Sequence, residues 1–225
     1  MAQSSIHTGM LRNVPLFAVL DEVQLTALAS VISRRSLLKN RVVLQAGDLT
    51  DSLYIVISGR TKVQMADDEG KEVILAVLGP GDFFGEMGLI DDEPRAASVL
   101  TTEPCEFVVI TKDDFNALLK NNFEIAMVIM RGLVKRLREA DRKIESLALL
   151  DVYGRVARVL LEFSETTPGG EKIVKGKLPR QDIAKMIGAS REMVSRVMKG
   201  LEVGGYIEVR DDGSIVLRER LSAHL

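Results

Sequence analysis

The sequence predicts an α+β fold: an antiparallel β domain, one long helix, and a small helical domain that ends in a two-stranded ribbon. Three observations predict it. Short runs rich in Val, Ile and Leu alternate with glycines between Leu37 and Ile110. An apolar stripe at helical spacing runs between Phe115 and Leu150, and two short amphipathic segments around a glycine follow Arg180. The 225 residues, 46% hydrophobic and 28% charged, suffice for two small cores and are too apolar for a disordered chain. No apolar run approaches the roughly 20 residues of a membrane span, and no basic-then-apolar signal layout opens the chain. A cytoplasmic protein with no membrane partner is expected. Cys105 is the single cysteine, so no internal disulfide forms; with His7 and His224 at opposite ends, no metal site is expected either.

From the N-terminus, Met10–Ser33 reads as helix. Leu16, Val19, Leu20, Val23, Leu25 and Leu28 recur roughly at helical spacing, and Asp21 offers an N-cap for a second segment. Strands are expected over Val42–Leu44, Leu53–Ile57, Lys62–Met65, Val73–Leu78, Ala97–Leu100 and Phe107–Ile110. Glu69-Gly70 is a hairpin turn between two of them, which points to an antiparallel barrel or sandwich. Helix returns at Phe115. Ile129, Leu133, Leu137, Ala140, Ile144 and Leu147 follow spacings of 4, 4, 3, 4 and 3, a coiled-coil-like seam whose opposite face carries Arg131, Lys135, Arg138, Arg142 and Glu145. Such a narrow stripe after a complete β domain suits pairing with a second copy of the chain; the alternative is packing on its own domain. Asp151 caps a new helix, and Thr167-Pro168-Gly169-Gly170 is a loop. Three segments follow: 1–122, 123–150 and 151–225.

The formal charge of −2 conceals a split. Residues 1–151 hold 17 basic and 22 acidic side chains, whereas 152–225 hold 13 and 10. The basic excess concentrates in 173–200, with seven basic against two acidic residues. There Arg180–Ile187 reads as a short helix, Gly188-Ala189 as a turn, and Ser190 as the N-cap of a second helix, Arg191–Met198. This is a helix-turn-helix pattern, with Ile183, Ala184, Ile187, Val194 and Val197 as its core. Arg191, Glu192, Ser195 and Arg196 fall on the outward face of the second helix. Tyr206–Val209 and Ile215–Leu217, joined through Asp211-Asp212-Gly213, form a wing. An Arg fork matches guanine O6 and N7, and Glu accepts from cytosine N4. A plain i,i+4 surface pair between Glu192 and Arg196 is the bland alternative; the glycine turn, basic surround and wing favour double-stranded DNA.

Arg180-Gln-Asp-Ile-Ala and Ile-Gly-Ala-Ser-Arg-Glu-Met-Val-Ser-Arg196 resemble the DNA-binding motif of the CRP/FNR transcription regulators, in their catabolite activator branch. Leu147-Ala-Leu-Leu-Asp-Val-Tyr-Gly-Arg155 is similar to that family's hinge. The resemblance implies that Arg191, Glu192 and Arg196 read a TGTGA-like half-site. It also implies that Arg180, Gln181 and Ser190 touch phosphates. Pro179 and Met193 stand where that branch has threonines, so the contacts at the rim of the half-site differ.

Phe83-Phe-Gly-Glu-Met-Gly-Leu-Ile90, followed by Pro94-Arg-Ala-Ala-Ser98, is the second constellation. A Gly-rich turn beside a short helix presents backbone N–H groups to an anion, and Arg95 supplies charge for a phosphate. Glu86 suits a ribose hydroxyl; a turn with a Glu86–Arg95 salt bridge is the structural alternative. These residues resemble the phosphate cassette of cyclic-nucleotide-binding domains. The resemblance implies a β-roll or jelly-roll domain in which Gly85 and Ala96 give backbone donors, Met87 lies in the cassette, Glu86 binds ribose and Arg95 binds phosphate. Ala96 replaces the serine of the catabolite activator branch. Ala140 and Asp141 stand where that branch carries an adenine-contacting Thr-Ser pair. A carboxylate at 141 matches the N1–H and N2–H₂ edge of guanine, unless it pairs with Arg138 or with a partner helix.

The expectation is therefore an N-terminal cyclic-nucleotide-binding domain, a long dimerisation helix and a C-terminal winged helix-turn-helix. It would act as a homodimeric DNA-binding regulator gated by cyclic AMP; the resemblance implies RNA polymerase as a further partner, touched through the Thr166–Gly176 segment, whose composition says only loop. Alternatives are gating by cyclic-di-GMP or cyclic GMP, DNA binding without an effector, and a nucleotide-sensing subunit of an enzyme or channel. No nucleophile, base or metal set accompanies Glu86 and Arg95, so an enzyme is not expected.

Overall fold

A computed structural model describes residues 8–218 and Leu221; His7 and His224 lie outside the described residues. The chain divides into two compact units, one ending at Lys135 and the other taking up at Arg136, with residues 71–73 grouped with the second.

The first unit opens with α1 (Thr8–Arg12), a 3₁₀ turn (Pro15–Phe17) and α2 (Glu22–Val31). The helical reading of Met10–Ser33 resolves into two helices, with a turn started by Pro15 between them. Asp21 caps α2 as expected, within a reciprocal capping box with Gln24. The break rotates the stripe: Leu16, Leu20, Leu25 and Leu28 are buried, while Val19 and Val23 face out.

Eight strands follow in two four-stranded sheets. β1 (Ser33–Leu37), β8 (Cys105–Thr111), β3 (Ser52–Ser58) and β6 (Phe83–Phe84) form one, in that order. β2 (Val42–Leu44), β7 (Ser98–Thr101), β4 (Thr61–Ala66) and β5 (Glu72–Leu78) form the other. The sheets make the antiparallel β-roll. Side-chain alternation explains why the first sheet reads as near-continuous apolar runs. Leu53, Ile55, Phe83, Val108 and Ile110 face a core built with the helices; Tyr54, Val56, Phe84, Cys105 and Phe107 face a core between the sheets. β1 was not expected. Its sequence, Ser-Arg-Arg-Ser-Leu, buries little because it is an edge strand, held by its ladder to β8 and an Arg34–Glu106 pair at 3.1 Å.

α3 (Met87–Ile90) lies between β6 and β7; α4 (Lys112–Asn121) and α5 (Phe123–Leu149) follow β8. The expected seam of α5 divides. Ile129 is 3% exposed and belongs to the core of its own unit with Ile125, and Leu133 is packed against that core. The place given to Ile129 in a dimer seam is thereby corrected: it has no surface left for a partner. Leu137, Ile144 and Leu147 are 63%, 64% and 52% exposed, and Ala140 is exposed with them.

The second unit comprises the rest of α5, α6 (Val152–Glu162), α7 (Arg180–Ile187), α8 (Arg191–Val203) and a sheet. Asp151 caps α6 through its Oδ1, which accepts from Gly154 N at 2.9 Å. β9 (Ser164–Thr166) and β10 (Lys172–Val174) form a hairpin around the expected Pro-Gly-Gly loop and join β12 (Ile215–Leu217) and β11 (Ile207–Val209). The wing is therefore half of a four-stranded sheet rather than an isolated ribbon. Three-residue strands, with no side chain buried in β9 and two adjacent ones in β10, carry no period for sequence reading to find.

Candidate nucleotide cradle and nucleic-acid interface

The cradle is assembled at the end of β6. Gly85 has φ +86°, the left-handed region that disfavours a side chain. A Cβ there would also lie 2.5 Å from Arg95 Nη1 and 3.1 Å from Ser52 O. The bare backbone at 85 is thus the seat of the Arg95 guanidinium. Arg95 is 5% exposed; its Nη1 donates to Gly85 O and its Nη2 to Ser52 O, both at 2.8 Å. Its backbone is clamped as well: Arg95 N donates to Asp48 O and Gly47 N donates to Arg95 O, each at 2.9 Å. The loops around 48 and 95 therefore fix the cation from both ends.

The carboxylate on Arg95 is that of Asp51, at 3.2 Å, and not that of Glu86. Asp51 is 84% exposed, so this pair is screened by water and contributes less than its distance suggests. With these partners counted, one hydrogen on Nη1 and the Nε hydrogen remain for an anion. Glu86 is 2% exposed at the N-cap of α3, and its carbonyl accepts from Leu89 N and Ile90 N. Met87 and Ala96 are exposed at the rim. Gly88 is buried where a Cβ would meet Glu93 O and Thr50 Oγ1, locking α3 onto the loop before β3. Gly85, Glu86 and Arg95 are thus brought together. Ala140 and Asp141 lie on α5 in the other unit; both are exposed, and the Asp141 carboxylate has no partner among the described residues, Arg138 included.

In the second unit α7 ends at Gly188, whose φ of +64° gives the left-handed cap that turns the chain. Ser190 Oγ then accepts from Met193 N at 3.1 Å and starts α8. Ile183, Ala184, Ile187, Val194 and Val197 fill the core as expected, joined by Met198 and Leu201. Arg155 on α6 donates through Nη1 to Ile187 O at 3.0 Å, tying a cation to the C-terminus of α7. Tyr153 covers Gly200 so closely that a Cβ there would lie 2.6 Å from its hydroxyl. These contacts set the position of α8.

Arg191, Glu192, Ser195 and Arg196 are exposed along α8. Glu192 and Arg196 do not pair, so the surface-pair alternative is not realised among the described residues. Ser195 Oγ donates to Arg191 O at 2.9 Å, which leaves it as an acceptor only. Gln181 and Ser190 are exposed; Arg180 is half-buried, and burial lowers its pKa while Glu202 acts against the shift.

Two further exposed cations lie beside these residues and were not singled out in the sequence. Lys199, one residue past the expected end of the helix, is exposed seven positions from Glu192 on the same face of α8. Lys177 is exposed ahead of α7, with its stem against Gly213 at the wing tip. Lys199 was findable from the helical period, whereas Lys177 is placed by a contact 36 positions away. The wing turn is held by Asp212, whose Oδ1 accepts from Ser214 N at 2.8 Å and Ser214 Oγ at 2.6 Å; these bonds hold its carboxyl below the usual value.

No group of metal-ligating side chains occurs among the described residues. Cys105 is buried, and desolvation pushes its thiol pKa up.

Residues 34–122 match the cyclic nucleotide-binding domain family and residues 154–223 the Crp-like helix-turn-helix domain family. The cAMP-activated global transcriptional regulator Vfr of Pseudomonas aeruginosa is 37% identical over 196 residues, covering 83% of this chain and 90% of its own. The cAMP-activated global transcriptional regulator CRP of Haemophilus influenzae is 42% identical over 183 residues, covering 79% and 80%. Among solved structures, the c-di-GMP responsive global regulator CLP of Xanthomonas campestris superimposes with a TM-score of 0.74 at 32% identity, covering 88% of this chain and 99% of that one. With these two domain matches and relatives of such identity over most of its length, the chain belongs to the CRP/FNR family of transcription regulators.

Proposed function

We propose that the chain is a homodimeric, sequence-specific transcription regulator whose DNA binding is gated by cyclic AMP. One observation carries the reading: a buried arginine fixed on a bare glycine with two donor hydrogens to spare, Arg95 on Gly85, in a chain that also bears an unpaired polar recognition helix. In this reading Gly85, Glu86, Met87, Arg95 and Ala96 hold the nucleotide within 1–122. Leu137, Ala140, Ile144 and Leu147 face the second copy within 123–150. Residues 151–225 bind DNA, with Arg191, Glu192 and Arg196 at base edges and Arg180, Gln181, Ser190, Lys177 and Lys199 at phosphates. A two-fold dimer reads a TGTGA-like palindrome with half-sites about one helical turn apart, and RNA polymerase is its partner in transcription. Like its relatives the protein is a regulator and not an enzyme. No helix among the described residues is long and apolar enough to cross a membrane, in keeping with a place in the cytoplasm.

A second reading, gating by cyclic-di-GMP or cyclic GMP, is favoured by the unpartnered Asp141 carboxylate and by the likeness to a c-di-GMP responsive regulator. Calorimetric titration with cyclic AMP, cyclic GMP and cyclic-di-GMP separates the two. Cyclic AMP binding that is lost on Arg95→Ala and kept on Asp141→Ala supports the first. Tight binding of a guanine nucleotide that is lost on Asp141→Ala replaces it with the second.

A further inference from the structure

Gly132 stands in the interior of α5, where glycine is less favourable than alanine. Its backbone is ordinary helix and does not need the left-handed region, so conformation does not account for it. Packing does. A Cβ at 132 would lie 2.8 Å from Cζ of Phe83, closer than carbon atoms approach, and 3.1 Å from its Cε1, tighter than most contacts. The ring tip of Phe83 therefore rests on bare helix backbone, in the same core as Ile125 and Ile129 of α5.

Phe83 is also two residues from Gly85. β6 is only Phe83–Phe84, paired with β3 at Ile55 and Tyr54. Its two rings face opposite ways: Phe83 onto the helix, and Phe84 into the roll, where it stacks on Tyr54 at 5.3 Å and meets Phe107 edge-on at 5.8 Å. A displacement of Gly85 and Glu86 must carry this short strand with it. A close-packed interior gives the ring no slack against α5, so the strand's movement is passed on as movement of the helix.

We propose that Phe83 and Gly132 form the positioning contact through which occupation of the cradle is communicated to α5. The proposal rests on the nucleotide-gated reading. The contact sets where the cradle sits on the helix that carries the exposed Leu137, Ile144 and Leu147, and a methyl group at 132 alters that setting by forcing the ring away.

The test is a size-exchange cycle on the full chain, with DNA affinity for a TGTGA-type palindrome measured without nucleotide, with cyclic AMP and with cyclic-di-GMP. The quantity read is the ratio of affinities with and without nucleotide. For Gly132→Ala this ratio should change about tenfold or more, within the usual range of allosteric coupling, while circular dichroism shows the helix content unchanged. Phe83→Leu combined with Gly132→Ala makes room for the methyl group and should bring the ratio back to within about threefold of the wild type. A wild-type ratio in Gly132→Ala, or a change that the double variant does not reverse, overturns the contact's role while leaving the gating reading intact. A wild-type protein whose DNA affinity responds to neither nucleotide overturns the gating reading and the contact's role with it.

Discussion

The cradle and the recognition face are both built around arginine, and they treat it in opposite ways. Arg95 is buried, clamped through its backbone on both sides and bonded to two carbonyls. Arg191 and Arg196 are exposed and, among the described residues, make no side-chain bond. Under the proposed function the difference follows from what each would meet. A small anion offers few contacts, so its site must bear the ordering cost beforehand. A duplex offers many base edges, and free forks can be selected by the sequence they encounter. The first arrangement gives affinity through rigidity; the second gives discrimination through choice.

The sharpest way to break this contrast is Gly85→Ala. The left-handed backbone penalty of about 1–2 kcal/mol and a displaced charge-assisted donor together predict a loss of nucleotide affinity of about 100-fold. Titration calorimetry reads it, and an unchanged affinity would show that Arg95 is not held for the nucleotide. On the recognition face, Arg196→Ala should cost about 1–3 kcal/mol on the cognate duplex and much less on one altered at the base pair it reads. Lys199→Ala should weaken both duplexes alike and reduce the salt slope by about one. Equal losses in both variants, measured by anisotropy, would erase the distinction between reading and anchoring. The smallest effect lies at the wing. Asp212 has its pKa depressed below 3.8 by bonds from Ser214, so its stabilisation is present above the unfolded value and disappears as pH falls through the folded one. Thermal unfolding of wild type and Asp212→Ala should therefore differ near neutrality and converge in acid.

Much of this was legible along the chain, for identifiable reasons. Strands with both faces buried announce themselves as Val/Ile/Leu runs, and the helix-turn-helix shows through Gly188, Ser190 and the spacing of its core. β1 was silent because an edge strand held by its backbone ladder needs no apolar pattern. Gly85, Glu86 and Arg95 were visible as a motif, but the carbonyl of Ser52 and the carboxylate of Asp51 that orient Arg95 come from more than 40 residues away. Ile129 was misplaced for a different reason. A spacing of three and four is the same whether a helix face meets its own domain or a second copy.

That division of α5 bears on how the chain folds as it is synthesised. Among the described residues, the hydrophobic cores of the first unit draw on no side chain beyond Leu133. They can close as soon as that residue clears the ribosome, on a timescale much shorter than the seconds that further elongation requires. The exposed leucines and isoleucine of the later turns emerge onto a unit that is already folded. The proposed association with a second copy would then be the last event in maturation, sensitive to protein concentration, while folding of the first unit would not be.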